Sequence, residues 1–328
     1  MTTLDGLKPG LDVRTTIAGL ELANPVLTAS GCAAAGRELG SLYDVARLGA
    51  VVTKSILREP RSGRPTPRMA ETPSGMLNSI GLQGPGIDAF IAHDLPWLRQ
   101  AGATAVVSIA GNDAAEFAEL AGRLAGEPGV GALEVNISCP NVANRGLVFA
   151  CDPGSAAEVV AGVVAAVGGR VPVLAKLSPD VTDLVAIARV VLDAGADGLA
   201  MINTTLGMVI DTTTMRPLLA GVTGGLSGPA IRPIAVRCIW QVYAAMRAGA
   251  LRRAPIVGIG GVLTGLDALQ LVLAGAAAVQ VGTATFHDPS APLRVAQELA
   301  AALSARGFTR FEDAVGHAHT LLAQEAAR

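Results

Sequence analysis

Short apolar runs alternate along this chain with longer stretches whose apolar residues recur at helical spacing. Eight runs stand out, several rich in β-branched residues: 25–29 (PVLTA), 50–53 (AVVT), 105–109 (AVVSI), 132–136 (ALEVN), 173–176 (VLAK), 198–202 (GLAMI), 255–258 (PIVG) and 278–281 (AVQV). Runs of this length and character read as strands buried on both faces. Helical periodicity or composition covers 41–48, 88–101, 114–125, 155–167, 182–194, 229–247, 264–274 and 292–303. Regular strand–helix alternation predicts an α/β fold with a parallel sheet, and eight units favour a (β/α)8 TIM barrel over the doubly wound open sheet that the same alternation would serve. Ahead of the first unit, 13–22 (VRTTIAGLEL) reads as an N-terminal hairpin turning at Ala18-Gly19, placed to cap the N-terminal mouth of the barrel. Connections 56–87, 138–153 and 204–228 are longer than a barrel needs, and all three follow strand C-termini, the face on which barrel enzymes carry their chemistry.

Composition narrows the function without naming it. At 328 residues, with no linker or low-complexity segment, the chain reads as one domain, 1–328. Its 51% hydrophobic and 16% charged residues suit strands buried on both faces. Mean hydropathy is high at +0.47, yet charges such as Glu158 and Arg170 interrupt the apolar stretches before they could span a membrane. The opening MTTLDGLKPGLDVRTT has the pattern of neither a secretory signal nor a transit peptide, so the cytoplasm is the expected location. A net charge of −2 and a pI near 6.1 offer no footprint for nucleic acid or an anionic membrane. Cys32, Cys139, Cys151 and Cys238 form no C-x-x-C pair, which argues against a zinc ribbon or an iron–sulfur cluster in this chain. His93, His287, His317 and His319 have no paired acid at a strand end, so no metal site is expected.

The chemistry gathers where the strands stop. Ser30-Gly31, Lys54-Ser55, Ser108, Asn136, Lys176, Asn203, Gly260-Gly261 and Gly282-Thr283 each stand at or just past the end of an apolar run. In a barrel these positions meet at one mouth, and two lysines ending otherwise apolar runs make a binding site a better reading than a set of ordinary turns. Glu134, just before Asn136, reads as a buried network carboxylate or an acid catalyst. Cys32, Cys151 and Cys238 read as packing or loop thiols, with Cys151 sharing the long loop that holds Cys139.

The most specific segment is 136–141 (NISCPN). With 78–82 (NSIGL), 201–204 (MINT), 224–229 (GGLSGP) and the glycine pairs Gly260-Gly261 and Gly282-Thr283, the chain resembles the class 1 dihydroorotate dehydrogenases over residues 13–289. The GLQ run at 81–83 and the fourth-strand loop look closest to the NAD-linked B subclass. Class 2 enzymes use serine as base and carry a membrane-binding extension, where this chain has Cys139.

The resemblance implies oxidation of dihydroorotate to orotate in pyrimidine biosynthesis. A C5 proton leaves to a base, Cys139, and a C6 hydride passes to N5 of FMN bound in this chain. An unperturbed thiol ionises near a pKa of about 8.5, so activity is expected to rise in alkali. Substrate contacts fall on Lys54, Asn78, Ser79, Ile80, Gly81, Leu82, Asn136, Asn141, Asn203 and Thr204, where neutral amides match a pyrimidine edge. Flavin contacts fall on Ser30, Lys54, Ser55, Ser108, Asn136, Lys176, Ile202 and Gly228, with the phosphate on the backbone of Gly260, Gly261, Gly282 and Thr283. Lys176 supplies a cation to the reduced ring. The B subclass further implies a partner subunit carrying FAD and a 2Fe–2S cluster, which passes electrons to NAD+, around a homodimer core within a heterotetramer.

Three positions depart from the family pattern: Ser108 and Gly84 each stand where asparagine is expected, and 142–146 (VANRG) places Arg145 where a second glycine is common. Two rival readings remain. One is a flavin-dependent dihydropyrimidine dehydrogenase, which shares N-x-S-C-P but favours another residue at Asn141. The other is a catalytically silent barrel serving as a scaffold or binder.

Overall fold

Each of the eight apolar runs becomes a barrel strand in the computed structural model, which describes residues 10–138 and 151–328. The strands are Val26–Thr28, Val51–Val52, Ala105–Ile109, Val130–Asn136, Val173–Leu177, Gly198–Met201, Ile256–Ile259 and Ala278–Val281. From the second strand to the eighth they pair in sequence order, all parallel, and the eighth pairs back onto the first. First and second strands close the ring. Leu27 bridges Ala50, the Gly49 N–H donates to the Val26 carbonyl at 2.8 Å, and Thr28 Oγ1 accepts from the Val52 N–H at 2.9 Å. That closure decides between the barrel and the open sheet.

The surrounding helices include Ala114–Leu124, Pro153–Val167, Leu184–Asp193, Arg232–Arg247, Gly265–Ala274 and Ala291–Ala305. Asp113, Asp152, Asp183 and Thr264 each accept a backbone N–H at a helix N-terminus, so an acidic or hydroxyl residue before an apolar stretch starts each of these helices. The 88–101 stretch forms a helix widened into a π turn at Phe90–Asp94, next to Pro96, which lacks a backbone donor. The expected helix at 41–48 does not form. A single turn, Arg37–Gly40, is followed by a 3-10 turn at Val45–Arg47, because Asp44 takes an extended conformation and caps the Ala46 N–H, which restarts the chain there. A C-terminal helix, His317–Ala326, was not foreseen; buried His319 anchors it by stacking on Trp240, with ring centroids 3.5 Å apart, and through a 3.0 Å contact with the Ala274 carbonyl.

The N-terminal hairpin pairs Thr15–Ile17 with Leu20–Leu22 about a turn in which Ala18 and Gly19 both have positive φ, 51° and 87°. Ile17 and Leu22 plug the barrel, packing with Leu27, Ala132, Leu174 and Ala278 from its interior. At the opposite end, connections 56–87 and 204–228 come together. Met69–Thr72, Gly75–Asn78, Thr205–Gly207 and Gly224–Ser227 form a four-stranded antiparallel sheet in the spatial order Thr205–Gly207, Gly224–Ser227, Gly75–Asn78, Met69–Thr72. Among the described residues, no helix is long and apolar enough to cross a membrane.

Candidate active site

Side chains along a strand alternate in direction, so residues two apart share a face. On the barrel interior this parity carries each of several strands from an apolar residue to a polar one in a single step. Ala132 is followed by Glu134 and Asn136, Leu174 by Lys176, Val106 by Ser108 and Ala278 by Gln280. Above this change lies a cavity of ≈ 710 Å³, roofed by residues of the antiparallel sheet such as Met76, Leu206 and Gly225.

At the cavity floor is a buried ion pair. Glu134, with no solvent exposure, accepts from Lys176 Nζ at 3.2 Å on one carboxylate oxygen and from Gln280 Nε2 at 2.7 Å on the other. It is therefore a network carboxylate. Lys176 and Gln280 line the cavity, and Gln280 Oε1 is buried with no hydrogen-bond partner among the described residues.

Along the wall, hydroxyls and amides form a continuous chain. Ser55 Oγ meets Ser30 Oγ at 3.4 Å and Ser108 Oγ at 2.9 Å, and accepts from Asn136 Nδ2 at 3.0 Å. Asn136 Oδ1 accepts in turn from Ser138 Oγ at 3.1 Å and from Asn203 Nδ2 at 3.2 Å, while Asn203 Oδ1 takes the Thr204 N–H at 2.8 Å. Ser30, Ser55, Asn136, Asn203 and Thr204 face the cavity. Ser108 does not. It was expected to touch a cofactor, but its short side chain is fully buried behind Ser55 and reaches the site only through that hydroxyl.

The glycine pairs flank the same space, with Ile202 and Gly228 beside them. Gly261 has φ +74°, and a Cβ there would fall 2.5 Å from Arg232 Cβ, so no side chain is tolerated where the loop turns. Arg232 holds that loop from behind, donating to the Gly261 carbonyl at 3.2 Å while paired with Asp267 at 2.8 Å. Thr283 Oγ1 donates to Ser227 Oγ at 2.8 Å, which ties the eighth-strand loop to the roof, and Gly282 and Thr283 both line the cavity.

Residues 78–82 cross the other side. Asn78 Nδ2 donates weakly to the Gly225 carbonyl at 3.4 Å, and Ser79, Ile80, Gly81 and Leu82 continue along the cavity. Sequence reasoning missed Arg64, which braces this loop: its backbone N–H donates to the Ile80 carbonyl at 2.9 Å and its Nη1 to Ser79 Oγ at 3.1 Å. Cys32 was also missed as a cavity residue, although it directly follows the strand-end pair Ser30-Gly31. Burial pushes its thiol up to about 11, against the opposing influence of the Lys54 and Lys176 charges, so it is a neutral thiol at physiological pH. Lys54 lines the cavity near Gly31. Cys151 is exposed, its Sγ 3.6 Å from the Asp180 carbonyl. Cys139 and Asn141 lie outside the described residues. Among the described residues, no cluster of three or more His, Cys, Asp or Glu side chains is placed to hold a metal.

A constellation of two lysines, neutral amides and hydroxyls around a partly apolar cavity can bind a planar anionic heterocycle beside a phosphorylated cofactor. Comparison with known proteins agrees. A family model for dihydroorotate dehydrogenase matches residues 12–303. The chain is 50% identical over 310 residues to the dihydroorotate dehydrogenase B (NAD(+)) catalytic subunit of Pelobacter propionicus, covering 94% of this chain and 99% of that one. Proteins of the same name from Geobacter sp. strain M21 and Geotalea daltonii are 50% and 49% identical, over 88% and 94% of this chain and 92% and 98% of theirs.

Proposed function

The chain belongs to the dihydroorotate dehydrogenase family, and from this premise we propose that it is the FMN-bearing catalytic subunit of an NAD-linked enzyme that oxidises (S)-dihydroorotate to orotate in pyrimidine biosynthesis. One observation carries the reading: Lys54, Asn136, Lys176 and Asn203 converge on a single cavity at the strand C-termini. Bound FMN supplies the hydride acceptor for C6 of the substrate. The residues present fit such a group, since Gln280 Oε1 is a buried acceptor awaiting an N–H or O–H donor, Lys176 supplies a cation, and paired glycine loops suit a phosphate.

The protein's own part is to hold the substrate and take its proton. Lys54 provides a fixed charge for the substrate carboxylate, and Asn78, Asn136, Asn141 and Asn203 meet the amide edge of its ring. Ser79, Ile80, Gly81, Leu82 and Thr204 complete that pocket. Cys139 takes the C5 proton, in keeping with its place in 136–141 (NISCPN). Ser30, Ser55, Ile202 and Gly228 wall the flavin, and the backbone of Gly260, Gly261, Gly282 and Thr283 receives its phosphate. The whole chain acts as one domain, a reading supported by a large core cluster running from Val13 to Ala314.

The relatives are named as catalytic subunits, which supports an electron-transfer partner for this chain as well. In this reading the partner carries FAD and a 2Fe–2S cluster and delivers the electrons to NAD+, the assembly is a heterotetramer around a homodimer of this chain, and it works in the cytoplasm.

Anaerobic mixing with dihydroorotate, followed by flavin absorbance, tests the substrate and the base together. The wild type should bleach without any added acceptor, and Cys139→Ala should bleach about 10²- to 10⁴-fold more slowly, the usual contribution of a positioned base. Bleaching by dihydrouracil but not by dihydroorotate would overturn the assignment.

A further inference from the structure

Glu134 has no surface and does not line the cavity, yet its two oxygens fix two side chains that do. A carboxylate accepts and does not donate, so the Gln280 amide can point only its NH2 at Glu134, which leaves Oε1 as the atom without a partner among the described residues. The glutamine is held in one orientation with a buried acceptor left over. Lys176 is likewise held, and its charge faces a counter-charge 3.2 Å away. The cavity wall therefore carries a compensated cation. Leu174, Ala132 and Ala278, two residues below on the same strands, are apolar, so no other charge from those strands shares the compensation.

We propose that Glu134 is a positioning residue that tunes the flavin. It orients Gln280 to accept an N–H or O–H of FMN, and it offsets the Lys176 charge so that reduced FMN is held less tightly, relative to the oxidised form, than a lone lysine would hold it. The inference rests on the FMN-binding reading above. A two-electron reduction makes the bound flavin more negative, so any net positive charge in the wall favours the reduced form. Removing the counter-charge raises the potential; removing the oriented acceptor weakens binding without that shift.

The experiment is a reductive titration of the FMN-loaded protein against an indicator dye at fixed pH, with FMN affinity measured separately by fluorescence quenching on the flavin-free protein. Glu134→Gln, nearly isosteric, should favour the reduced flavin about tenfold over wild type, a positive shift of about 30 mV for a two-electron couple. Glu134→Asp keeps the charge but withdraws the oxygens; it should bind FMN more weakly, with a positive shift well below that of Glu134→Gln. Gln280→Leu should weaken FMN binding about 5- to 10-fold, the loss of one buried neutral hydrogen bond. An unchanged or lowered potential in Glu134→Gln overturns the charge role, and unchanged FMN affinity in Gln280→Leu overturns the acceptor role. Should Glu134→Gln fail to fold, a positive shift of about 30 mV or more in Glu134→Asp, which keeps the counter-charge, equally overturns the charge role. Wild-type protein that binds no FMN would instead sink the functional reading itself, an outcome distinct from all of these.

Discussion

The two ends of the barrel are built from the same strands and do opposite work. Below, Leu27, Ala132, Leu174 and Ala278 close on the hairpin residues Ile17 and Leu22 as a continuous apolar plug. Two residues further along, Glu134, Lys176 and Gln280 replace that plug with a buried ion pair and an amide oxygen that has no partner among the described residues. The lower layer gains free energy by leaving water, and the upper layer gives some of it up to desolvate charges. The strand period of two lets the two layers be specified independently, and each is open to separate perturbation.

Exchanging the character of the two layers should have the largest effects. Leu174→Ala should lower stability by about 2–5 kcal/mol through lost burial and a residual cavity, read as a denaturation midpoint, while leaving the flavin potential within error of wild type. The double replacement Glu134→Leu with Lys176→Met extends the apolar plug upward. Compared as flavin-free proteins, it should stay within about 3 kcal/mol of wild type, because the gain of about 1–4 kcal/mol from removing both charges together is offset by about 1–3 kcal/mol for the Gln280 amide donor left without its acceptor, and it should not be reduced by dihydroorotate. A double variant that is much less stable would mean the ion pair holds the barrel together and is not a functional expense.

The same layering accounts for what sequence reasoning reached. Lys54 and Lys176 announced the site because a charge at the end of an apolar run is costly to bury unless a ligand or a counter-charge meets it, and the eight strands were legible because each is continuously buried. Gln280 carried the same signal more faintly: a polar residue inside AVQV, in phase with the interior residue Ala278. The roof sheet was not legible. Its strands MAET and GGLS are short and poor in β-branched residues, and Asn78 pairs with Gly225, a partner far along the chain that no local pattern reveals. Cys32 reads as a packing or loop thiol and does lie in the loop after the first strand; that it also lines the cavity was not legible, because nothing in its neighbours fixes which way the side chain turns after Gly31. The expected helix at 41–48 failed on one residue, since Asp44 reads as an ordinary helical acid in sequence but acts as a cap in the structure.

A smaller effect separates the ends by pH. The Cys32 thiol at the mouth is raised by burial from 9.0 to about 11, so the folded state holds this proton more tightly than the unfolded state does. Its contribution is complete below pH 9 and is lost as pH rises through about 11. Wild type should lose up to about 2 kcal/mol across that window from this group, and Cys32→Ala should lose less. Urea midpoints at about pH 8 and about pH 10.5 for both proteins, on either side of the onset of that loss, measure the difference. Equal losses would show that the thiol is not held neutral by the fold.

The smallest effect concerns support against contact. Ser108 lies one hydrogen bond behind the cavity wall, and Ser55, the residue in front of it, retains Asn136 Nδ2 at 3.0 Å and Ser30 Oγ at 3.4 Å when that bond is removed. Ser108→Ala should therefore weaken FMN binding only about twofold, whereas Ser55→Ala removes the shared hub and should weaken it about fivefold or more, within the range expected for neutral hydrogen bonds. Both values come from the same fluorescence titration. If Ser108→Ala matched or exceeded Ser55→Ala, the serine at 108 would be setting the wall's geometry and not merely backing it. The polar layer would then extend one residue deeper into the barrel than the cavity surface indicates.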